Sequence, residues 1–348
     1  MALLSRPTPG PRSGTKQMRR GLLALCVAAA AGSGAVALAA TQEGGGPGSA
    51  TGASTAAWSA LRDAPSARTE VASARMGRSI YLVGGFERSS GTTVGTLERY
   101  DIRRNRWRRL RSLPVGVNHP TAVAYRGRLY VHGGYRARRS LGSATARLWV
   151  YSPRRNRWSR LPASPTPRAA HALGVVNGRL YAAGGANSRG SLRTMDVYSF
   201  RRKRWARGPS FGGPARDHTT GAATGGRFYV LAGRRGASGN FRVAESYDPR
   251  RRHWSRLPDM RRARGGIAAA VVRGRIVVFG GEDFTTGRTI ERVERYDPKQ
   301  RRWGDLPNMR SPRHGLGGAA FGRRVYSVSG GPRPGFHFSR TIEYLDLR

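Results

Sequence analysis

Arginine recurs at one slot along the chain. Arg68, Arg168, Arg216, Arg264 and Arg313 each stand 16 or 17 residues before a diglycine or its Ala232-Gly233 equivalent, and Val117 takes the slot once. Histidines follow closely at His119, His171, His218 and His314. A guanidinium is a fixed fork of donors matched to carboxylate and phosphate. A ring of them predicts anion binding, and Arg68, Arg168, Arg216, His218, Arg264, Arg313 and His314 form the candidate ligand set. The alternative gives each arginine a structural role, its stem packed on a neighbouring repeat. Arg136, Arg138, Arg139, Arg189, Arg234, Arg235, Arg333 and Arg340 add charge nearby, with Glu87, Glu282 and Asp283 as the local acids.

A second basic set lies in five short turns that run between a tyrosine and a tryptophan: DIRRNRW, SPRRNRW, SFRRKRW, DPRRRHW and DPKQRRW. They carry 16 positive charges against three acids, Asp101, Asp248 and Asp297. Arg103, Arg104, Arg154, Arg155, Arg201, Arg202, Arg250, Arg251, Arg301 and Arg302 define this basic rim. It is read either as a docking surface for a polyanion or as a solvated surface rich in arginine through coding bias. The whole chain holds 63 basic residues against 19 acidic ones, and only Lys16, Lys203 and Lys299 among the bases are lysines.

Catalytic chemistry has thin support. There is no HExxH and no His/Cys cluster at metal-ligand spacing, and no nucleophile elbow supports Ser/His/Asp chemistry. His119, His171, His218, His314 and the Glu282/Asp283 pair are the available acids and bases, each also readable as an ordinary structural polar residue. No catalytic residue, metal or cofactor is assigned.

These residues belong to a repeat. Apolar runs end in a diglycine at Gly84-Gly85, Gly133-Gly134, Gly184-Gly185, Gly280-Gly281 and Gly330-Gly331, with Ala232-Gly233 in the remaining slot; the steps are 49, 51, 48, 48 and 50 residues. Tyrosine and tryptophan then recur seven residues apart: Tyr100/Trp107, Tyr151/Trp158, Tyr198/Trp205, Tyr247/Trp254 and Tyr296/Trp303. Tyr344 is taken as the sixth aromatic, and Trp58 with Leu61 supplies the missing tryptophan from the other end. Each unit reads as strand a (Ala170–Val176 in the third), a tight turn such as Asn177-Gly178, strand b (Leu180–Ala183), the diglycine, a variable loop, strand c through the tyrosine and strand d through the tryptophan.

The pattern resembles the kelch repeat over residues 58–346. The resemblance implies an all-β, six-bladed kelch β-propeller with four-stranded blades around a channel. The last blade is closed by the N-terminal strand, residues 58–61, pairing with the C-terminal strands. Loops b–c and d–a would share one face, loops a–b and c–d the other. In kelch adaptor proteins that bind acidic peptides, arginines at the recurring slot line the channel mouth, which supports the anion reading. A more distant resemblance, to the secreted kelch family that epimerises sialic acid, implies an alternative: a sugar-acid-processing enzyme using an arginine-lined channel. Kelch oxidases build a copper site from a cross-linked Tyr and Cys, and the mature chain would have no cysteine.

The one cysteine, Cys26, lies in GLLALCVAAAAGSGAVALAA, residues 21–40, which follow a basic stretch ending Arg19-Arg20. Residues 1–40 read as a signal peptide, with a signal anchor as the rival since 20 apolar residues just span a bilayer. Residues 41–57 read as a flexible linker, and 58–348 as the propeller. The expectation is a secreted or extracytoplasmic monomer, tethered if residues 21–40 persist. It binds an anionic ligand, a cell-envelope polymer or an acidic protein segment; nucleic acid is possible without a specific signal.

Overall fold

The computed structural model describes residues 57–237 and 239–347. The expected leader (1–40) and the linker (41–57), apart from Ala57, lie outside the described residues. Every described element is a β-strand. Four sheets have four antiparallel strands each, and the first runs Ala72–Met76, Ser79–Val83, Leu97–Asp101, Arg106–Leu110. The second begins at Thr121–Tyr125, the third at Ala172–Val176 and the fourth at Thr220–Thr224. A fifth sheet, from Gly265–Val272 to Arg302–Leu306, carries one extra short strand, Arg288–Thr289. A seven-stranded sheet contains Gly317–Phe321, Arg324–Gly330 and Ser339–Asp346, to which Trp58–Ala60 adds antiparallel, Trp58 opposite Leu345. The chain is an all-β propeller.

Period-two patterning builds these sheets, because alternate side chains face the two neighbouring sheets. Tyr81, Val83 and Leu97 of the first sheet pack with Leu129, Val131 and Tyr151 of the second. Five further seams pair each sheet with the next, the last joining Ile80, Leu82 and Tyr100 to Tyr326, Val328 and Ile342. Each tyrosine of the repeat lies opposite its tryptophan across strands c and d, as in Tyr100 with Trp107, with ring centroids 5.0–5.3 Å apart. The tryptophan indole then donates outward to a backbone carbonyl of the preceding repeat, such as Trp158 Nε1 to Arg111 O at 2.8 Å.

The diglycine is a crossing point. The second glycine donates to the carbonyl of the arginine-slot residue in the next repeat: Gly85 to Val117, Gly134 to Arg168, Gly185 to Arg216, Gly233 to Arg264 and Gly281 to Arg313, all at 2.8–2.9 Å. A Cβ on Gly133 would fall on the Arg168 carbonyl and the His171 ring, so only glycine permits the approach.

Two expectations need correction. The sixth aromatic slot belongs to Leu345, which pairs with Val325 as Tyr100 pairs with Ile80. Tyr344 lies one residue off, on the other side of the strand under the Arg324 guanidinium at 4.4 Å. Strand a of the third repeat begins at Ala172 rather than Ala170. Ala170 has φ +52°, a left-handed turn conformation that cannot continue a strand.

Candidate functional site

The five slot arginines do not form an anion ring at the mouth. Their exposure is 0–1%, and each ends on a carboxylate of its own repeat. The pairs are Arg68–Glu98 (2.6 Å), Arg168–Asp196 (2.8 Å), Arg216–Glu245 (2.9 Å), Arg264–Glu294 (2.7 Å) and Arg313–Glu343 (3.2 Å). Each also donates to the carbonyl at the end of strand b, as Arg68 Nη1 does to Gly84 O at 2.9 Å. A guanidinium stripped of water needs such partners, and here all of them are internal. Burial lowers the Arg264 pKa to about 10 despite Glu294. The acids stand two residues before the repeat's tyrosine, or before Leu345. Where Val117 replaces the arginine, Trp149 replaces the acid. That joint absence was the signal for a structural pair, and the residue-type reading passed over it.

The channel is a cavity of about 130 Å³ bordered by the first strands and the loops before them. None of the five arginines lines it; Glu70, His119, His171 and His218 do. This removes the arginine-lined channel on which the sugar-acid alternative rested. Glu70, His119, Ala170, His218, Gly266 and Gly315 are equivalent positions, two residues after the arginine slot. All six have φ between +48° and +70°. Backbone hydrogen bonds run round the axis through them: His119 N to Glu70 O, Ala170 N to His119 O, Thr219 N to Ala170 O, Gly266 N to His218 O, Gly315 N to Gly266 O and Val71 N to Gly315 O, at 2.8–3.4 Å. Left-handed backbone costs a non-glycine residue about 1–2 kcal/mol. Two of these slots use glycine and one uses Ala170, whereas Glu70, His119 and His218 keep long polar side chains there.

Those side chains meet. His119 Nε2 lies 3.0 Å from Glu70 Oε2 and 3.1 Å from His218 Nε2. His218 Nε2 accepts from Arg234 at 2.9 Å, and Arg234 also binds Glu282 Oε1 at 2.6 Å. His314 Nδ1 stands between Glu70 Oε1 (3.1 Å) and Glu282 Oε2 (3.3 Å). Burial opposes a charge on His314, and the two carboxylates outweigh it, so its pKa lies above the ordinary value. Burial and the Arg234 charge hold His218 below its ordinary value. His171 points into a separate pair, its Nε2 2.9 Å from His132 Nδ1 and 2.7 Å from Thr121 Oγ1. Of the sequence candidates, the structure thus unites His119, His218, His314 and Glu282, joined through Arg234 and Glu70. Glu70 carried no motif; its register with His119 and His218 was its only mark.

The rim arginines Arg103, Arg104, Arg154, Arg155, Arg201, Arg202, Arg250, Arg251, Arg301 and Arg302 are all exposed. Among them only Arg104 has an ion pair in the described residues, with Asp101 at 3.9 Å. The rim acids are otherwise engaged: Asp101, Asp248 and Asp297 each accept two backbone N–H groups that close their own turns. On this face an open cleft of about 1270 Å³ runs across the second, third and fourth sheets. Nine arginines line it (Arg126, Arg128, Arg179, Arg201, Arg202, Arg204, Arg207, Arg250 and Arg252) together with Tyr125, Tyr130, Tyr181, Phe200, Trp205 and Tyr247, and no acidic residue among the described residues does.

The sheet arrangement and the internal arginine–acid staples define a repeat propeller. The chain belongs to the kelch-repeat family: the KLHDC2/KLHL20/DRC7 Kelch-repeats domain matches residues 52–213 and 119–331. It is 31% identical to human Kelch-like protein 34 over 36% of this chain and 20% of that one. It is 32% identical to Kelch-like ECH-associated protein 1A of Danio rerio over 31% of this chain and 18% of that one. Beta-scruin of Limulus polyphemus is 28% identical over 37% of this chain and 14% of its own length. The chain therefore spans a fifth or less of these relatives. The solved structure of YjhT superposes with TM-score 0.71 at 15% identity, covering 83% of this chain and 97% of that chain, a likeness of fold. The chain is a kelch-repeat interaction module.

Proposed function

We propose that this module is a six-bladed propeller that binds an extended polyanion of the cell envelope along the arginine cleft on its a–b and c–d face. The cleft carries the reading: nine exposed arginines with, among the described residues, no acid beside them in the lining and no ion pair on any of the nine. Aromatic rings between them, including Tyr125 stacked on Phe200 at 4.3 Å, add flat apolar surface for the sugar rings of such a polymer. Long-range attraction from a net charge of +44 steers such a partner toward the protein. Six apolar seams and the pairing of Trp58–Ala60 with the last strand support the blade count and its closure. Export through residues 1–40 belongs to the same reading, because envelope polymers lie outside the cytoplasm.

The test uses a soluble sulfated polysaccharide. Arg201, Arg202 and Arg250 changed together to Ser should weaken binding about tenfold or more at moderate salt. Arg88, Arg288 and Arg333, exposed elsewhere, changed together to Ser remove the same charge and should weaken it far less. Equal losses would show that net charge alone binds the polymer. An acidic peptide or single-stranded nucleic acid bound more tightly than the polysaccharide would replace the envelope polymer as the partner.

A further inference from the structure

The histidines of the channel mouth present a problem of protons. Thr93 Oγ1 donates to Ala137 O at 2.7 Å, so it accepts from Asn118 Nδ2, also at 2.7 Å. Asn118 is thereby oriented with Oδ1 toward His119 Nδ1, 2.7 Å away, and that nitrogen carries the proton. On the other ring, His218 Nδ1 donates to Asp217 Oδ1, while Asp217 Oδ2 accepts from Ser191. Both imidazoles are therefore oriented with Nε2 lone pairs turned to one point. There they face each other at 3.1 Å, with Glu70 Oε2 3.0 Å from His119 Nε2. Lone pairs held this close repel unless a proton or a cation lies among them, and the Arg234 N–H that reaches His218 Nε2 at 2.9 Å covers that nitrogen alone, leaving His119 Nε2 against Glu70 Oε2.

We propose that Glu70, His119 and His218 bind one divalent transition-metal ion, of which zinc is the natural probe, at the mouth of the channel. The donor atoms are Glu70 Oε2, His119 Nε2 and His218 Nε2, all within 4.8 Å of one another. Donors about 2.0–2.1 Å from a shared ion stand about 2.9 Å apart at a right angle and about 3.3 Å apart at the tetrahedral angle. The observed 3.0 and 3.1 Å fall between. Asn118 and Asp217 hold the far ring nitrogens, the outer support that metal-binding histidines require. Phe86 and Tyr135 stand edge-on to the His119 ring, with centroids 6.2 and 5.6 Å away, which fixes its plane. In a chain with 63 basic residues, Glu70, Asp217 and Glu282 gather here and make the mouth locally receptive to a cation. Arg234 competes, since it donates to His218 Nε2 at 2.9 Å. A metal displaces that donation and leaves Arg234 on Glu282. Three protein ligands leave the remaining coordination positions open toward the channel, as in sites that bind water or a ligand.

The experiment is zinc titration of chelator-treated full-length protein by calorimetry, with metal content measured after dialysis. One zinc per chain is expected, and cobalt in its place should give visible ligand-field absorption. His218→Gln should abolish that stoichiometry, and Asp217→Asn should weaken zinc about 10–100-fold. His171→Gln, in the same channel outside the donor set, should leave it unchanged. Circular dichroism checks that each variant is folded; if His218→Gln does not fold, Glu70→Gln serves, since loss of zinc from that folded variant makes the same case. Less than a tenth of an equivalent bound by the wild type, or equal uptake by a folded donor variant, overturns the proposal. The cleft lies on the other face, so failure here leaves the polyanion reading standing, and the reverse holds too.

Discussion

With its guanidinium fully buried, Arg264 depends on Glu294, and Glu294 depends on Arg264. Removing one partner strands a charge away from water, so Arg264→Ala should cost about 3–5 kcal/mol of stability. Removing both is a different case, because no stranded charge remains. The second repeat already uses that solution, with Val117 and Trp149 in the two places. The double change Arg264→Val with Glu294→Leu should therefore destabilise less than the two single changes added together. Chemical denaturation of the four proteins measures the coupling, and strict additivity would show that the pair does not act as a unit. His132 sets a second residue-scale expectation. Burial first, then the Arg168 charge, pushes its pKa down to about 3, and His171 beside it is also well below its ordinary value. The unfolded chain binds these protons near pH 6.5 and the folded one does not. Their contribution is present above that pH and is lost as pH falls toward 3. Melting temperature should drop through this window, and less steeply in His132→Gln than in the wild type; parallel curves would exclude the histidine pair as the cause.

At the scale of elements, Trp58–Ala60, paired with Ser339–Asp346, is the strand on which the proposed closure depends. Trp58 is 5% exposed, packs 5.9 Å from Phe279 and donates to Pro307 O at 3.0 Å. Trp58→Ala should cost about 3–5 kcal/mol. A chain beginning at Ala57 should melt near the full-length chain. One beginning at Arg62 exposes the edge of Ser339–Asp346 and should melt much lower. Equal melting temperatures for the two would refute closure by the N-terminal strand. This element was readable in advance because a tryptophan was missing at one end of the chain and present at the other. The strands, the tight turns and the diglycine crossings were readable from spacing for the same reason, as a repeat states its own periodicity. The mouth cluster was harder to read. Glu70 and His119 are 49 residues apart and His119 and His218 are 99 apart, one and two repeat lengths. Such distances look like dispersion until the repeats are curled into a ring. The slot arginines failed in the opposite way: residue type suggested a ligand, while the partner acids, visible only by aligning strand c across repeats, bury them.

At the scale of the molecule, charge separates into two kinds. Five of the repeats neutralise a buried arginine with an acid of their own, and eight of the 19 acidic residues are buried and do not offset the surface. The excess is therefore displayed, and the rim and the cleft carry a large share of it. If a polyanion lies there, its counterions are released on binding, and affinity must fall steeply with salt. On duplex DNA, a convenient model polymer, the log–log slope is about −0.9 for each phosphate contacted. Six contacts predict a loss of roughly a thousandfold between about 50 and 200 mM salt. Changing Arg201, Arg202 and Arg204 to Ser should make that slope shallower by about 2 to 3 while leaving the melting temperature nearly unchanged, since exposed turn positions contribute little to stability. Glu294→Leu with Arg264→Val alters the internal pairs and should leave the slope where it was. A wild-type slope near zero, or a cleft variant with the wild-type slope, would mean that the arginines of this face are solvated surface and that the module binds its partner elsewhere.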